Sequence, residues 1–557
     1  MSRYTSTFIL FLLIFSAGCE NEIVYSDPNT DTKPSEASNC MVSSAHPLAT
    51  KTGLEILASG GNAFDAAVAV AAALNVVEPF MSGIGGYGTI VIYDAETKKA
   101  WFLDSSGKIP IATDSDQFRA PTPNFKENRR GAKAVSTPGN VNAWYAMSKR
   151  YGIKSWNTLF EPAKKLAGEG FKISERFAGA IESVFDKFPD NAKSIYSRNG
   201  EPLQEGEILI QNDLANSLKL IADEGPGAVY GGEIGQSIDK AMREAGGFLS
   251  IQDLIDDRAE WWEPAKINYR GYEIITASPP ATAFPSLIRL GIMSRFDVGS
   301  LGHNSTEFLH IFSEVTKHAF WCRLAYAGDP EINPPPLDML LSEEYWENQA
   351  KKINLQTAGE FEYPGVESLQ GKNTTHFVVA DKWGNVVSAT QTLGNLFGSR
   401  IMPEGTGIWL NNSLAYCTFE PKGNPMDAHA GHRKLSGDCP TLIMKDGKPR
   451  VAIGTPGGHT IGQTVPQMVM NIIDFKMDIQ NAISAPRISF FEPDSIFVEN
   501  KISEPVINGL KARGHKIDII RSLGNAHGLL IEYDSKGKPK RFYGGSDPRG
   551  NGCAMGF

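Results

Sequence analysis

The hydrophobic pattern near the start of the chain predicts two adjacent helices. Residues 47–59 carry apolar side chains at helical spacing and end at Gly60-Gly61, where a helix is expected to stop. Asn62 is a good N-cap for a second segment, residues 63–77, which consists mostly of Ala and Val. Because a helix that is apolar all round is normally buried, we expect this second helix to lie in the core.

A glycine-rich run, residues 83–88 (GIGGYG), comes directly before an apolar segment, residues 89–93, that is typical of a strand. In a nucleotide-binding fingerprint the glycines follow a strand and open a helix. The order is reversed here, so the run predicts a tight turn with close backbone packing.

The pattern changes along the chain from helices to hairpins. Residues 135–361 are mostly helical in pattern, with residues 156–167 and 308–326 as examples. Beyond Lys372, residues 375–381 and 386–392 predict one hairpin, and residues 442–444 and 450–453, joined by an Asp-Gly turn, predict another. This order favours an α+β layered fold in which sheets pack between helices.

The N-terminus has the pattern of an export signal. Arg3 precedes an apolar run over residues 8–15, which is too short to span a bilayer, so residues 1–18 are predicted to be a removed signal peptide. Ala17-Gly18-Cys19 resembles a bacterial lipobox, although Ser16 stands where Leu is usual, and predicts a lipid on Cys19. Ordinary signal cleavage is the alternative. Residues 19–39 are polar and predict a flexible tether. We therefore expect an exported protein at the periplasmic or outer cell-envelope face, with a membrane tether through Cys19.

Composition narrows the classes of partner and cofactor. The 557-residue chain has a net charge of −9, so a broad nucleic-acid-binding surface is not expected. Export permits disulfides, and Cys417 and Cys439 flank a loop, but their spacing alone does not establish a pair. No Cys/His cluster has zinc spacing, and His429 and His432 are expected to be solvated loop residues. We expect no metal and no cofactor.

Candidate chemistry lies where the pattern changes. Thr374 stands at an abrupt strand start, which alone indicates only the β propensity of Thr. Thr392 lies on the neighbouring predicted strand, within possible reach of Thr374. Gly457 and Gly458 follow a third strand, and consecutive glycines allow two backbone N–H groups to turn toward one point, as an oxyanion site requires.

From residue 45 to the C-terminus the chain resembles the γ-glutamyltranspeptidases (glutathione hydrolases), which are N-terminal-nucleophile hydrolases. The resemblance rests on an ordered series of motifs: residues 60–67 (GGNAFDAA), 136–139 (STPG), 374–377 (TTHF), Asp381, 384–385 (GN), 407–412 (GIWLNN), 456–458 (PGG) and 547–549 (DPR). It implies a four-layer αββα fold with two sheets sandwiched between helices.

The resemblance also implies self-processing. The precursor would cut itself between Asn373 and Thr374, so that residues 40–373 form a heavy chain and residues 374–557 a light chain within one intertwined domain. Thr374 would then carry a free α-amino group with a pKa of about 8, low enough to act as its own general base. Thr392 would orient the nucleophile, and the N–H groups of Gly457 and Gly458 would hold the oxyanion. The acyl-enzyme would be resolved by water or by an amine.

The polar clamp for a glutamyl group looks dismantled. The family's substrate-binding positions fall on Ser106, Gly394 (with Asn395 adjacent as the candidate replacement), Ser413, Tyr416, Ser436 and Gly437. Ser cannot replace the carboxylate-binding fork of an Arg, and Tyr cannot replace an Asp that pairs with an ammonium. The alternative is that the loop over residues 415–438 folds differently and supplies substitutes such as Arg400, Arg433 or Asp438.

Three functions stay open. The first is a self-processing γ-glutamyl hydrolase or transferase acting on glutathione-like peptides. The second is a family acylase with a non-glutamyl acyl group, comparable to the cephalosporin-acylase-like members. The third, a non-catalytic binding protein of the same fold, is disfavoured because Thr374, Thr392 and the glycine pair are all present.

Overall fold

The computed structural model describes residues 23–119, 127–361 and 373–557. Two seven-stranded sheets stack face to face, and helices cover the outer face of each. One apolar core lies between the first sheet and the N-terminal helices, and a second fills the space between the sheets and under the later helices. This is the predicted αββα arrangement.

Over the described residues the strands are, in chain order, β1 (Ser35–Ala37), β2 (Met41–Ser44), β3 (Tyr87–Asp94), β4 (Lys99–Ser105), β5 (Phe171–Lys172), β6 (Ser197–Arg198), β7 (Glu201–Pro202), β8 (Ile208–Leu209), β9 (Glu260–Trp262), β10 (Ala265–Tyr269), β11 (Tyr272–Thr276), β12 (Asn373–Ala380), β13 (Val386–Gly394), β14 (Thr441–Lys445), β15 (Lys448–Gly454), β16 (Ile488–Phe491), β17 (Ser495–Glu499), β18 (Lys516–Ile520), β19 (His527–Tyr533), β20 (Pro539–Ser546) and β21 (Cys553–Gly556).

The α-helices of the same residues are α1 (Pro47–Ala58), α2 (Ala63–Val77), α3 (Asn140–Tyr151), α4 (Glu161–Glu169), α5 (Glu175–Glu182), α6 (Asp190–Tyr196), α7 (Asn212–Glu224), α8 (Glu233–Glu244), α9 (Ile251–Asp256), α10 (Phe284–Met293), α11 (Val298–Leu301), α12 (Thr306–Tyr326), α13 (Leu337–Leu340), α14 (Glu343–Ala350), α15 (Ile461–Ile473), α16 (Ile479–Ser484) and α17 (Glu504–Ala512).

Strands from both sides of the Asn373–Thr374 bond enter each large sheet. The first sheet has the order β21-β2-β12-β13-β3-β4-β9, and the second has the order β1-β20-β19-β15-β14-β11-β10. Neighbours in both sheets are antiparallel. Because β12 lies between β2 and β13, the strand that begins with Asn373 and Thr374 is interior to its sheet and firmly positioned.

Helix α2 shows why the Ala-rich segment folds as predicted. All of its residues are buried, and its start is closed by a capping box in which the Asn62 side chain accepts from the N–H of Asp65 and the Asp65 carboxylate accepts from the N–H of Asn62. The N–H of Ala63 donates to Asp381 Oδ2 at 2.9 Å. The helix is thereby fixed to the turn between β12 and β13, so the core helix and the strand carrying Thr374 share one support.

Most predicted elements agree with the structure. The predicted hairpins are β12–β13 and β14–β15, and the glycine run forms a turn before β3 in which a Cβ on Gly85 would lie 2.2 Å from the Trp409 carbonyl oxygen. The helix predicted over residues 156–167 is split. A 3₁₀ helix, Trp156–Phe160, precedes α4, because Pro162 is the second residue of α4 and favours a helix start there.

The segment predicted as a flexible tether differs from that prediction over its described part. The Ser26 N–H donates to the Gly556 carbonyl at 2.7 Å, and Ser35–Ala37 add an edge strand beside β20. Backbone pairing with an open sheet edge therefore outweighs the polar composition of this segment. The signal peptide and Cys19 lie outside the described residues.

Two further findings concern membranes and thiols. Within the described ranges, no helix combines the length and the apolar character needed to cross a bilayer. The described cysteines, Cys417 and Cys439 among them, are buried free thiols. The possible pairing of those two residues is therefore not present.

Candidate active site

Thr374 and Thr392 form a short chain of hydroxyl groups at the end of the β12–β13 ladder. The register shifts so that Thr374 alone faces Thr392 and Leu393, an irregularity of the kind that re-aims side chains at active sites. Thr374 Oγ1 donates to Thr392 Oγ1 at 3.2 Å, and Thr392 Oγ1 donates to the Asn373 carbonyl oxygen at 2.6 Å. The Gly394 N–H donates to Thr392 Oγ1 at 2.8 Å and fixes that hydroxyl. The Thr374 hydroxyl and the Asn373 carbonyl, which belongs to the peptide bond just before Thr374, are thus both hydrogen-bonded to the Thr392 hydroxyl.

Gly457 and Gly458 lie between β15 and α15 in a conformation that glycine permits. Their φ angles are +140° and +62°, and a Cβ on Gly457 would lie 2.6 Å from Thr460 Oγ1. The Thr460 side chain donates to the Gly457 carbonyl at 2.9 Å, which fixes the loop. In the described part of the chain, neither glycine N–H donates a hydrogen bond to protein. Both N–H groups are therefore free of protein partners, and Gly457 lines the same cavity as Thr374.

A cavity of about 420 Å³ contains both Thr374 and Gly457, and we call it the nucleophile cavity. Five apolar side chains form much of its wall: Met81, Phe491, Phe497, Ile520 and Leu523. Its polar lining includes Arg176, Asn525 and Arg549. The hydroxyl of Thr374 is thus presented to a half-apolar space large enough for a small organic substrate.

Glu78 is a buried acid behind the nucleophile strand. Its Oε2 accepts from Thr375 Oγ1 at 3.1 Å, and its Oε1 lies 3.8 Å from Nη2 of Arg176. Burial raises the pKa of Glu78 to about 7, although the charge of Arg176 and the Thr375 hydrogen bond act in the opposite direction. Glu78 therefore neutralises Arg176 only weakly.

Two histidines, His376 on the nucleophile strand β12 and His527 on β19, are core residues. His376 is fully buried, its Nδ1 lies 2.8 Å from Thr390 Oγ1, and burial lowers its pKa far below the usual range. His527 is also buried, and burial lowers its pKa to about 3. Both rings are neutral at pH 7. Neither ring lines the nucleophile cavity, whereas His459 does.

Four of the predicted acyl-binding residues lie around a second buried polar region, the Lys434 cluster, which we define as Tyr87, Tyr416, Lys434 and Asp438. Tyr87 pairs with Thr392 across β3 and β13, and Lys434 Nζ lies 3.1 Å from the centroid of the Tyr87 ring. Burial lowers the pKa of Lys434 and raises that of Asp438. The cluster therefore adjoins the hydroxyl chain but is built from two phenols, a lysine amine and a carboxyl group.

The predicted acyl-binding residues nearest this cluster are already engaged by protein. Ser436 Oγ donates to Asp438 Oδ2 at 2.7 Å, and Ser106 Oγ donates to Asp104 Oδ2 at 3.0 Å. Burial raises the pKa of the Tyr416 phenol above its usual value, so it is neutral. A Cβ on Gly437 would lie 3.2 Å from the Gly458 carbonyl oxygen, which places this loop against the glycine pair.

The remaining two predicted acyl-binding residues lie in a different network. Ser413 Oγ bonds to Ser136 Oγ, and the Asn395 N–H donates to Asn412 Oδ1 at 2.8 Å. Among the described residues that line the nucleophile cavity, none of the six predicted acyl-binding residues is found. Their assignment to substrate stays a prediction.

The suggested substitutes for the clamp are also committed elsewhere. Arg433 contacts Asp104 at 2.6 Å and Glu260 at 2.5 Å, and Asp438 accepts from Ser436. Arg400 does not line the nucleophile cavity as far as the structure describes it. The sequence reasoning missed Arg176, since its position at the start of an ordinary amphipathic helix gives no signal of a site.

Among the residues that the structure describes, two groups of acids and histidines are spaced closely enough for a cation, and neither lies at the nucleophile cavity. One is His310, Glu314 and His515, in which Nδ1 of His310 already contacts Nε2 of His515 at 2.8 Å. The other comprises Asp329, Glu331 and His432. His432 is partly exposed, His429 contacts the Asn424 carbonyl, and both lie in loops. Because His432 belongs to the second group, the prediction that it is not a ligand stays a prediction.

Comparison with known proteins gives one consistent family. The family model described as Gamma-glutamyltranspeptidase matches residues 49–557. The glutathione hydrolase proenzyme of Bacillus subtilis (strain 168) is 35% identical over 540 residues, covering 93% of this chain and 91% of that protein. The Acylase ACY 1 proenzyme of Pseudomonas sp. (strain V22) is 36% identical over 515 residues, covering 90% of this chain and 91% of that protein.

The solved structures agree with these relatives. The crystal structure of cephalosporin acylase from Bacillus halodurans superposes with a TM-score of 0.85 at 28% identity, covering 95% of this chain and 98% of that chain. The γ-glutamyltranspeptidase of Helicobacter pylori gives a TM-score of 0.54 at 34% identity, covering 57% of this chain and 92% of that chain. The fold is therefore shared with both a transpeptidase and an acylase.

Proposed function

Because the chain belongs to the γ-glutamyltranspeptidase family, we propose that it is a self-processing amide hydrolase or acyltransferase whose nucleophile is Thr374. The observation that carries the proposal is the chain of hydrogen bonds from Thr374 through Thr392 to the Asn373 carbonyl. Relatives named as proenzymes support processing of this chain as well.

Maturation begins at the Asn373–Thr374 peptide bond. Thr374 Oγ attacks the Asn373 carbonyl carbon, the C–N bond breaks, and a proton passes to the Thr374 nitrogen, which gives an ester and a free amine. The Thr392 hydroxyl, 2.6 Å from that carbonyl oxygen, donates to it as negative charge develops. Water hydrolyses the ester, so residues 40–373 and 374–557 become the heavy and light chains.

The same hydroxyl then attacks a substrate amide. The free α-amine of Thr374, with a pKa of about 8, takes the hydroxyl proton and returns it to the leaving amine. The N–H groups of Gly457 and Gly458 stabilise the oxyanion, and losing one such donor typically costs about 3 kcal/mol of barrier. Water or a second amine removes the acyl group from Thr374.

The identity of the acyl group that Thr374 accepts is a separate question. The Lys434 cluster favours an acyl group other than glutamyl. Arg433 is occupied by two carboxylates, and neutral Tyr416 offers no charge to an α-ammonium. At the Lys434 cluster a γ-glutamyl substrate would lack both halves of its clamp, and each lost charged contact costs about 1.5–3 kcal/mol. A family acylase with a non-glutamyl acyl group is therefore our second candidate, beside γ-glutamyl transfer or hydrolysis.

Two measurements test these functions. Denaturing electrophoresis and intact mass of the purified protein should give two chains that meet at Asn373 and Thr374; a permanently intact chain would support the binding-protein alternative. Turnover of γ-glutamyl anilide is then compared with that of glutaryl anilide, which differs only by the α-ammonium. A strong preference for the γ-glutamyl compound would contradict the non-glutamyl candidate.

We also propose export with lipidation of Cys19. The support is the sequence pattern of residues 1–19 alone. Cys19→Ser should move the protein from the membrane fraction to the soluble fraction and abolish labelling by a radioactive fatty acid. Labelling that persists in this variant would disprove the assignment.

A further inference from the structure

We propose that Arg176 is a specificity-determining residue that binds a carboxylate on the amide substrate, at the mouth of the nucleophile cavity. This inference rests on the proposed function of Thr374. It names the substrate class: an amide that carries a carboxylate together with an apolar portion.

Local packing directs Arg176 to the cavity. Helix α5 is capped by Ser174, whose Oγ accepts from the Phe177 N–H at 3.3 Å. Phe177 is buried against Phe80, with ring centroids 4.9 Å apart. Arg176, one residue earlier, lines the same cavity as Thr374. The core contact of its neighbour thus fixes the helix start from which Arg176 extends.

Arg176 is the guanidinium of this cavity that retains donors for a ligand. Arg549 also lines the cavity, but it contacts Glu499 at 2.5 Å and Asp547 at 2.8 Å. Arg176 has Glu78 at 3.8 Å, which is too long for a hydrogen bond, and within the described part of the chain it donates none. Its side chain is 29% exposed. A guanidinium whose N–H groups have no acceptor, in the same cavity as a nucleophile, is suited to bind a carboxylate.

The position of Arg176 also indicates where the carboxylate would lie relative to the amide and the apolar portion of the substrate. Arg176 lines a second space of about 1080 Å³, which we call the outer groove and whose lining includes the cations Lys501 and Arg521 and the acids Glu175, Glu182 and Glu205. Arg176, Ser522 and Arg549 line both spaces, so the outer groove adjoins the nucleophile cavity. The apolar wall that includes Phe491 and Phe497 faces the same cavity. A substrate with its amide at Thr374 would therefore have an apolar portion against this wall and a carboxylate at the exit.

The carboxylate belongs either to the acyl group or to the leaving amine, and two matched substrate pairs distinguish these sources. Glutaryl anilide and its methyl ester differ in charge on the acyl group. Acetamidobenzoate and its methyl ester differ in charge on the amine. Steady-state kinetics of the wild type, Arg176→Ala and Arg176→Lys are measured on all four. Arg521→Ala is the matched control, because Arg521 lines only the outer groove.

We expect Arg176→Ala to lower kcat/KM for the carboxylate of one pair about 10- to 100-fold, mainly through KM. The corresponding ester should change by less than about threefold, as should all substrates with Arg521→Ala. Arg176→Lys should recover part of the loss. Equal losses on carboxylate and ester would indicate a structural role and overturn the inference, as would no loss in either pair.

Failure of the proposed function is recognised separately, since it appears as an intact, inactive wild-type chain. Calorimetric binding of the same two carboxylates and their esters to the wild type and Arg176→Ala then decides the question. Loss of carboxylate binding in the variant would support the anion site, and unchanged or absent binding would overturn it.

Discussion

The nucleophile cavity and the Lys434 cluster meet where Tyr87 pairs with Thr392, yet they are built from different materials. Around Thr374, strand register places two hydroxyl groups, and a fixed loop holds the glycine pair, of which Gly457 lines the cavity. In the Lys434 cluster, charged and phenolic side chains satisfy one another. Under the proposed function, bond cleavage would depend on backbone placement, whereas recognition of the acyl group would depend on side chains that can be exchanged without moving the backbone.

The largest expected effect tests whether cleavage depends on the single hydroxyl of Thr374. Thr374→Ala should leave one chain on denaturing electrophoresis and lower amide turnover about 10⁴-fold or more, because one group serves both reactions. Thr374→Ser, which keeps the hydroxyl and the α-amine, should retain part of both. Normal processing of Thr374→Ala would show that another residue is the nucleophile.

A second variant separates placement of the hydroxyl from its chemistry. Thr392→Val keeps the shape of the side chain but removes the donor to the Asn373 carbonyl. The rate of self-cleavage, measured by electrophoresis of samples taken at timed intervals, should fall about 10²- to 10³-fold, which is the usual cost of losing one such donor.

Ser388→Ala is the matched control for Thr392→Val. Ser388 lies on the same strand, β13, and its hydroxyl has no partner among the described residues. Its processing rate should equal that of the wild type. If both variants slow processing equally, strand stability rather than the hydroxyl chain is responsible.

The contrast between the two regions also explains what the sequence could predict. Thr374, Thr392 and the glycine pair are found from motif order and strand pattern, because strand register brings them together in any chain with this topology. The partners of Arg433 and Lys434 depend on how a long loop folds over the sheets, which periodicity does not encode. The β1 strand was missed for a related reason, since its pairing with β20 joins segments about five hundred residues apart.

Glu78 differs from the hydroxyl and backbone groups around Thr374, since it is a buried acid beside the nucleophile strand. Its pKa is about 7 in the folded protein against 4.5 as its ordinary value, so the folded state binds the proton more tightly. Folding stability from this group is therefore fully present below pH 4.5 and is lost as the pH rises toward 7. Glu78→Gln should remove that loss, which is at most about 3 kcal/mol.

Urea unfolding of the wild type and Glu78→Gln at several values between pH 4.5 and 7 measures this difference in the free energy of unfolding. Glu182→Gln, in the outer groove, is the control for removing an acid from this surface. Parallel pH profiles for the wild type and Glu78→Gln would contradict the burial of a titrating acid behind Thr374.

The smallest expected effect tests whether recognition can be restored by one exchange. Tyr416→Asp places a carboxylate at the position that would face an α-ammonium, but beside Asp438, and Ser106 still supplies no cation. Because like charges in a buried site oppose ionisation, the change in kcat/KM for γ-glutamyl anilide should stay below about threefold. Tyr416→Phe, which keeps the ring, is the control for loss of the phenol. A tenfold or greater gain with Tyr416→Asp alone would mean that the Lys434 cluster is a glutamyl site lacking only one charge, and that recognition here is as close to intact as the cleavage machinery.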